Sequence, residues 1–247
     1  MRSLCKVFSA IVMFTFSAVA FAAPKVLIVV TSHDQMGDTG EKTGLYLSEM
    51  THPYHELTKV GIKVDIASIK GGASPIDPKS LTLDDEINQD FLANPDTRAL
   101  LDNTMKLANV DASNYDAILF AGGHGTVWDF PNSPAVNTVS SKIYGNGGFV
   151  AAVCHGPAAL LNIYDASGKP IIQGKKVAGF SNAEEEAVGL TKVVPYLLQD
   201  ELIAKGALYQ EGDKFTTFVV RDDRIITGQN PQSASELGRV LANALLK

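Results

Sequence analysis

Cys154 and His155 are the residues whose position most suggests chemistry. They end the apolar run Gly148-Phe149-Val150-Ala151-Ala152-Val153 and precede Gly156-Pro157-Ala158-Ala159. The run reads as a buried strand, and the small residues after it read as the start of a helix. A nucleophile on such a turn needs small residues two positions to either side, here Ala152 and Gly156. Larger side chains would collide in the strained bend that pushes the nucleophile outward. The free N–H groups of the following helix would aim at the sulfur and favour its thiolate. The chemistry implied is nucleophilic attack by sulfur. The competing reading is an inert core cysteine, common for free thiols; the elbow spacing favours the reactive one.

Other segments offer groups that could serve this nucleophile. Gly122-Gly123-His124-Gly125 follows an apolar run, and the N–H groups of Gly123 and His155 could form an oxyanion hole. A Gly-Gly pair by itself is equally a tight turn. Neighbouring side chains on a starting helix point about 100° apart, so His155 either works as an acid or base on the substrate or only packs. His124 divides evenly between function and packing. Glu184-Glu185-Glu186 is a solvated face or the source of a carboxylate that orients His155. Glu49 lies in the mostly apolar stretch Leu45-Tyr46-Leu47-Ser48-Glu49-Met50. Buried beside the cysteine, it would be pushed toward its protonated form and could donate to sulfur or carry a proton. Spacing alone does not separate that role from a surface glutamate. His33, His52 and His55 lack metal-ligand spacing with a third ligand, and neither a metal nor another cofactor is expected.

The first residues read as a leader. Arg2 and Lys6 precede an uncharged stretch over 7–22, which ends in Ala20-Phe21-Ala22 before Ala23. A basic start, an apolar middle and a small-x-small end predict a secretory signal peptide over 1–22 and a mature chain over 23–247, exported to a periplasm-type compartment. The alternative is a membrane anchor, but the apolar run falls short of the ~18 residues a spanning helix needs, and no membrane association is expected after cleavage. Cleavage would remove Cys5 and leave Cys154 as the single thiol, so no intrachain disulfide is available. It would also move the net charge from −6 to −8, because Arg2 and Lys6 go with the leader. Excess negative charge argues against nonspecific nucleic-acid binding.

The elements that must position these residues read as strands alternating with helices. Strands are predicted over 25–31, 63–69, 115–121, 149–153, 176–179, 215–220 and 224–227, the last two joined at Asp222-Asp223. Helices are predicted over 43–60, broken or kinked at Pro53, and over 84–93, 95–108, 133–146 and 189–205. A final helix over 233–246 carries a serine cap. With neither repeats nor a linker, one α/β domain over 23–247 is expected, built on a mostly parallel sheet between helices. Sites in such sheets lie beyond the carboxyl ends of strands. The Gly122, Cys154 and Ser181 loops all fall there.

The whole mature chain resembles the ThiJ/PfpI superfamily of class I glutamine-amidotransferase-like, flavodoxin-like folds. Its closest likeness is to the glutathione-independent glyoxalase III (D-lactate dehydratase) branch. The resemblance rests on Thr39-Gly40-Glu41-Lys42-Thr43-Gly44, Ser48-Glu49, His52-Pro53-Tyr54, Ala121-Gly122-Gly123-His124-Gly125-Thr126 and Asp129-Phe130-Pro131. It extends through Ala152-Val153-Cys154-His155-Gly156-Pro157, Gly179-Phe180-Ser181-Asn182-Ala183-Glu184-Glu185 and Thr227-Gly228-Gln229-Asn230-Pro231. It implies a small helical insertion in the fold and a homodimer. It also implies Cys154 as nucleophile, His155 as its partner and Glu185 as the acidic member of a triad. Glu49 would be the glutamate beside the sulfur, and Gly123 and His155 the oxyanion donors. The activity implied is conversion of small 2-oxoaldehydes such as methylglyoxal to D-lactate-type acids, and a cysteine oxidisable to the sulfinic acid. A cysteine peptidase or amidase using the same groups, and an exported redox sensor or holdase chaperone, are the alternatives. The leader departs from the many cytosolic relatives.

Overall fold

The computed structural model describes residues 23–82 and 84–247; the predicted leader lies outside the described residues. Along the chain run β1 (Lys25–Val30), α1 (Ser48–Thr58), β2 (Lys63–Ser68), α2 (Pro78–Leu81), α3 (Glu86–Ala93), α4 (Pro95–Asp102), β3 (Met105–Lys106), β4 (Ala117–Phe120), α5 (Thr126–Asp129) and α6 (Pro134–Gly145). There follow β5 (Phe149–Val153), β6 (Lys176–Val177), α7 (Asn182–Ala187), α8 (Leu198–Ala204), β7 (Leu208–Tyr209), β8 (Val219–Asp222), β9 (Ile225–Gly228) and α9 (Ala234–Leu245). A seven-stranded sheet has the order β3-β2-β1-β4-β5-β9-β8, parallel except for the β8–β9 hairpin. This is the expected doubly covered, flavodoxin-like α/β fold.

Uninterrupted apolar runs form the central strands because both faces of this sheet are covered. On β1, Leu27 and Val29 point into a layer with Val139 and Ile143 of α6, Leu160, and Leu198 and Leu202 of α8. Val26, Ile28 and Val30 point the other way, onto Met50 and Leu57 of α1, Phe91 of α3, Leu101 of α4, and Leu237 and Leu241 of α9. All five β1 side chains from Val26 to Val30 are fully buried. Burial stabilises each by roughly 1.5–3 kcal/mol against the chain entropy lost.

Several elements depart from the sequence expectation. Pro53 lies inside one continuous helix, α1, rather than dividing it. A missing proline N–H leaves one helical bond unmade, and here packing holds the helix together. Gly238 of α9 comes so close that a Cβ on it would stand 2.7 Å from the Pro53 Cα. Around this contact His52 bridges three helices, its Nε2 2.8 Å from Asp85 Oδ2 and its Nδ1 3.0 Å from Ser235 Oγ. The helix expected over 189–205 is only α8, since Pro195 cannot continue a helix through the turns before it. The helix expected over 95–108 stops at Asn103, whose backbone leaves the helical region, and Met105–Lys106 becomes the edge strand β3. The segment expected as a strand over 176–179 is the short β6, which pairs only with β7 in a separate two-stranded sheet. The hairpin turn sits one residue later than expected, at Asp223 and Arg224, with Asp223 at φ 57°. Ser233 does not cap α9; its Oγ bonds the Phe218 backbone and Asn230 instead.

The α1–α9 contact positions Glu49 and is sensitive to volume at Gly238. Gly238→Val should lower stability by about 1–3 kcal/mol by forcing the helices apart. A urea midpoint equal to that of the unaltered protein would contradict this.

Candidate active site

β5 ends in a sharp bend at Cys154, whose φ is 59°, a backbone region a bulky residue seldom occupies. The bend is held on both sides. The Cys154 N–H donates to the Gly228 carbonyl of β9 (2.9 Å), and the Cys154 carbonyl accepts from the Phe180 N–H (2.8 Å). Small neighbours are required as the sequence implied, for a Cβ on Gly156 would stand 2.3 Å from the Phe120 carbonyl oxygen. Residues Gly156–Asn162 then form a 3-10 helix, not an α-helix. Its charge effect is secondary to burial: Cys154 is 4% exposed. Burial pushes the thiol well above its ordinary range, Glu49 pushes it further the same way, and the His155 N–H facing the sulfur only partly opposes this. Burial therefore opposes the thiolate that the helix start was expected to favour.

Glu49 comes from α1, across the sheet end, and is completely buried. Burial pushes its carboxyl well above the usual carboxylate range, and the groups that face it are the Cys154 thiol and the Gly122 N–H. Neither meets a Glu49 oxygen in full hydrogen-bonding geometry, so both oxygens lack a regular partner. Two acids this close and this dry carry at most one negative charge between them. The contact requires glycine at 122: a Cβ there would lie 2.3 Å from Glu49 Oε2.

His155 reaches the sulfur despite its adjacency in sequence, its Nδ1 lying 3.4 Å from Cys154 Sγ. Its Nε2 lies 2.8 Å from Glu185 Oε2. Glu185 sits in the first turn of α7, which begins with a capping box between Ser181 and Glu184. The other Glu185 oxygen, Oε1, accepts from His124 Nε2 at 3.0 Å. Burial alone would raise Glu185, but the charges and hydrogen bonds of His155 and His124 outweigh it and hold the carboxyl well below its usual range. Burial and the neighbouring His155 lower His124. His124, Glu185 and His155 thus form one unit stacked against Phe180, whose ring lies 4.5 Å from that of His155.

Gly123, the other predicted oxyanion donor, has φ 98°, and a Cβ there would stand 2.2 Å from the Gly44 carbonyl oxygen. Its close approach is to the 44–46 loop of the same chain. Neither the Gly123 nor the His155 N–H bonds a backbone acceptor among the described residues. Gly123, His124, Cys154, Tyr46, Asp77 and Phe180 line a cavity of about 200 Å³. Larger clefts exist, such as one between α1 and α3 lined by His55, Glu86 and Phe91, but none of them contains the sulfur.

The structure therefore brings together all five predicted residues: Glu49, Gly123, Cys154, His155 and Glu185. The third loop arrives by an unexpected route, since β6 lies outside the main sheet. The segment is stitched to that sheet by the Ala178 N–H on Thr227 Oγ1 (2.8 Å) and by the Phe180–Cys154 bond. Sequence reasoning missed three features. Glu185 is shared with His124, whose only signal was its place after the glycine pair. Tyr46 lines the cavity, its phenol pushed up to about 12 by burial and then by Glu49 and Cys154. Asp77 is tied to Thr43 Oγ1 (2.9 Å) and caps α2. His124, His155 and Glu185 could also hold a metal ion, with donor atoms within 4.8 Å of one another, although here those atoms bond each other.

The DJ-1/PfpI family profile matches residues 42–244. The chain belongs to the DJ-1/PfpI family. It is 35% identical over 227 residues to Glyoxalase 3 of Candida albicans, covering 85% of this chain and 93% of that protein. It is 34% identical over 224 residues to the glutathione-independent glyoxalase HSP31 of Saccharomyces cerevisiae, covering 86% and 94%. Among solved structures it is similar to Rapid Encystment Protein 24 KDa of Francisella tularensis, with a TM-score of 0.88 and 47% identity, covering 91% of this chain and all of that one.

The Glu185 pairing sets a pH dependence. Its folded-state value is depressed below the ordinary 4.5, so its stabilising contribution is complete above that value and is lost as pH falls. Wild-type stability should therefore drop more steeply than that of Glu185→Gln between about pH 5 and about pH 3. Parallel urea-midpoint profiles would contradict the pairing.

Proposed function

We propose that this DJ-1/PfpI protein is a glutathione-independent glyoxalase, converting methylglyoxal-type 2-oxoaldehydes to D-lactate-type hydroxy acids with Cys154 as nucleophile. The observation that carries the reading is the buried Glu49 carboxyl set against the buried Cys154 thiol at a cavity. A hydrolase needs a nucleophile, a base and oxyanion donors. An internal redox isomerisation also needs a dry proton carrier beside the adduct, and Glu49 supplies one. Proteins named as glyoxalases, similar over most of both chains, support the same reading.

His155 Nδ1 takes the thiol proton, and the imidazolium formed is stabilised by Glu185. The sulfur bonds to the aldehyde carbon C1, the C1–O π electrons move to oxygen, and that oxygen takes the proton to give a hemithioacetal. The N–H groups of Gly123 and His155 hold the developing oxyanion. The C1 hydrogen leaves as a proton to the Glu49–His155 relay, which delivers one to the C2 oxygen, giving an enediol. A proton added at carbon C2, with the C1 hydroxyl proton passing back to the relay, yields a 2-hydroxy thioester. Water then cleaves the S–C1 bond, releasing the hydroxy acid and restoring the thiol. The oxidation of C1 balances the reduction of C2, so overall one water is added and no external oxidant or reductant enters. The protein thiol takes the part that free glutathione would otherwise play as sulfur carrier.

Cys154→Ala should abolish D-lactate formation from methylglyoxal, and retained turnover would overturn the reading. Glu49→Gln keeps the shape but loses the acidic proton, and should lower kcat by ~10²–10⁴-fold. Near-normal kcat in a folded Glu49→Gln protein would remove Glu49 from the relay.

We further propose that the protein is exported after loss of residues 1–22 and acts as a homodimer. The support for export is the pattern of Arg2, Lys6 and the uncharged stretch ending at Ala22; the support for the dimer is the family resemblance. N-terminal sequencing of protein from the producing cell should begin near Ala23; a chain retaining Met1 would defeat the export proposal.

A further inference from the structure

The cavity above Cys154 is walled on one part by Phe180, Val188, Leu190 and Phe215. Val188 and Phe215 are 39% and 40% exposed, two of the large apolar side chains that the described surface leaves in water, and both fall at this one cavity. Exposed apolar groups gathered at a cleft mark a binding surface rather than a packing surplus.

Phe215 is held there by construction. Its φ is 57°, a region bulky residues seldom adopt. Its N–H donates to Glu184 Oε1 at 2.8 Å. Glu184 is fully buried, and the same oxygen accepts from Asn230 Nδ2 at 2.8 Å. Its Oε2 accepts from the Ser181 N–H and hydroxyl. The glutamate next in sequence to Glu185 therefore anchors the backbone of Phe215, whose side chain lines the cavity that Cys154 also lines. The rings of His155, Phe180 and Phe215 follow one another at centroid distances of 4.5 and 6.4 Å. A substrate aromatic group could join this series at the geometry aromatic pairs favour.

Size points the same way. At ~30 Å³ per water, the cavity has room for roughly six water molecules. A three-carbon aldehyde, with five heavy atoms, is smaller than that space.

The geometry points to 2-oxoaldehydes carrying an aryl or bulky alkyl group as the preferred substrate class, with Phe215 as the specificity-determining residue. This rests on the glyoxalase reading for its chemistry, but the apolar wall can be tested without turnover.

Phenylglyoxal should exceed methylglyoxal in kcat/KM by about tenfold or more, and Phe215→Ala should lower that ratio by about tenfold, with Phe215→Leu falling between. Equal or better turnover of methylglyoxal by the unaltered protein would overturn the inference, as would a ratio unmoved in a folded Phe215→Ala protein. The second arm uses acetophenone, which carries the aryl ketone without the aldehyde. Acetophenone should protect Cys154 from iodoacetamide at concentrations at least about tenfold below those needed with acetone. Protection without turnover of either aldehyde would sink the glyoxalase reading and keep the aryl site; equal protection by the two ketones would sink the aryl site whatever the turnover.

Discussion

The organisation of the site follows from one constraint: two acidic groups, the Glu49 carboxyl and the Cys154 thiol, are buried face to face. Burial raises both; Glu49 raises the thiol further, while the facing thiol and the Gly122 N–H partly offset the rise at Glu49. The pair carries at most one negative charge, and any charge that forms must be shared or passed on. A free thiolate would be the better nucleophile, but it would also be exposed to oxidants and alkylating agents. Because burial opposes charge on the sulfur, ionisation depends on His155, whose Nδ1 is the base within reach of it. Activation then coincides with arrival of an electrophile that can take the electron pair.

Keeping that pair in contact constrains distant parts of the chain. Glu49 rides on α1, and α1 is pressed to the sheet end by α9 through the Pro53–Gly238 contact. The sulfur is presented by a left-handed residue, which is tolerated because neighbouring segments bond both its N–H and its carbonyl. Gly122 lies between the two acids, and no other residue leaves room for the Glu49 carboxyl. A helix contact, a strained bend and a missing Cβ are thus three parts of one requirement. Loss of any of them would separate the acids or admit water between them, and water would return each acid toward its ordinary value.

Legibility in the sequence follows the range of the interactions. The central strands were readable because burial on both faces leaves an unbroken apolar run such as Val26-Leu27-Ile28-Val29-Val30. The elbow was readable because its steric demands are local, at Ala152, Cys154 and Gly156. Glu49 could not be chosen from spacing, since the groups that bury it, around Gly122 and Cys154, are distant in sequence. The sharing of Glu185 by two histidines was hidden for the same reason: His124 and Glu185 meet only when β4 and α7 converge. The burial of Cys154 was hidden because a helix start is a local signal, whereas desolvation by the assembled core is not. Pro53 misled in the opposite direction, a local breaker overridden by long-range packing.

The two adjacent glutamates of α7 show how a short segment can serve two ends at once. In a single helical turn, Glu185 points to the histidines and Glu184 points away, into a cage of Ser181, Asn230 and the Phe215 N–H. Glu184 closes the capping box that starts α7, so the same bonds that begin the helix also set the height of Glu185 against His155 and the place of Phe215 over the cavity. The acid–base group and the apolar wall therefore cannot shift independently. A displacement of α7 that spoiled the imidazole geometry would carry the phenyl ring with it. Reactivity at the sulfur and the shape admitted to it are coupled through one turn of helix, and both were hidden in what composition alone reads as a solvated acidic triplet.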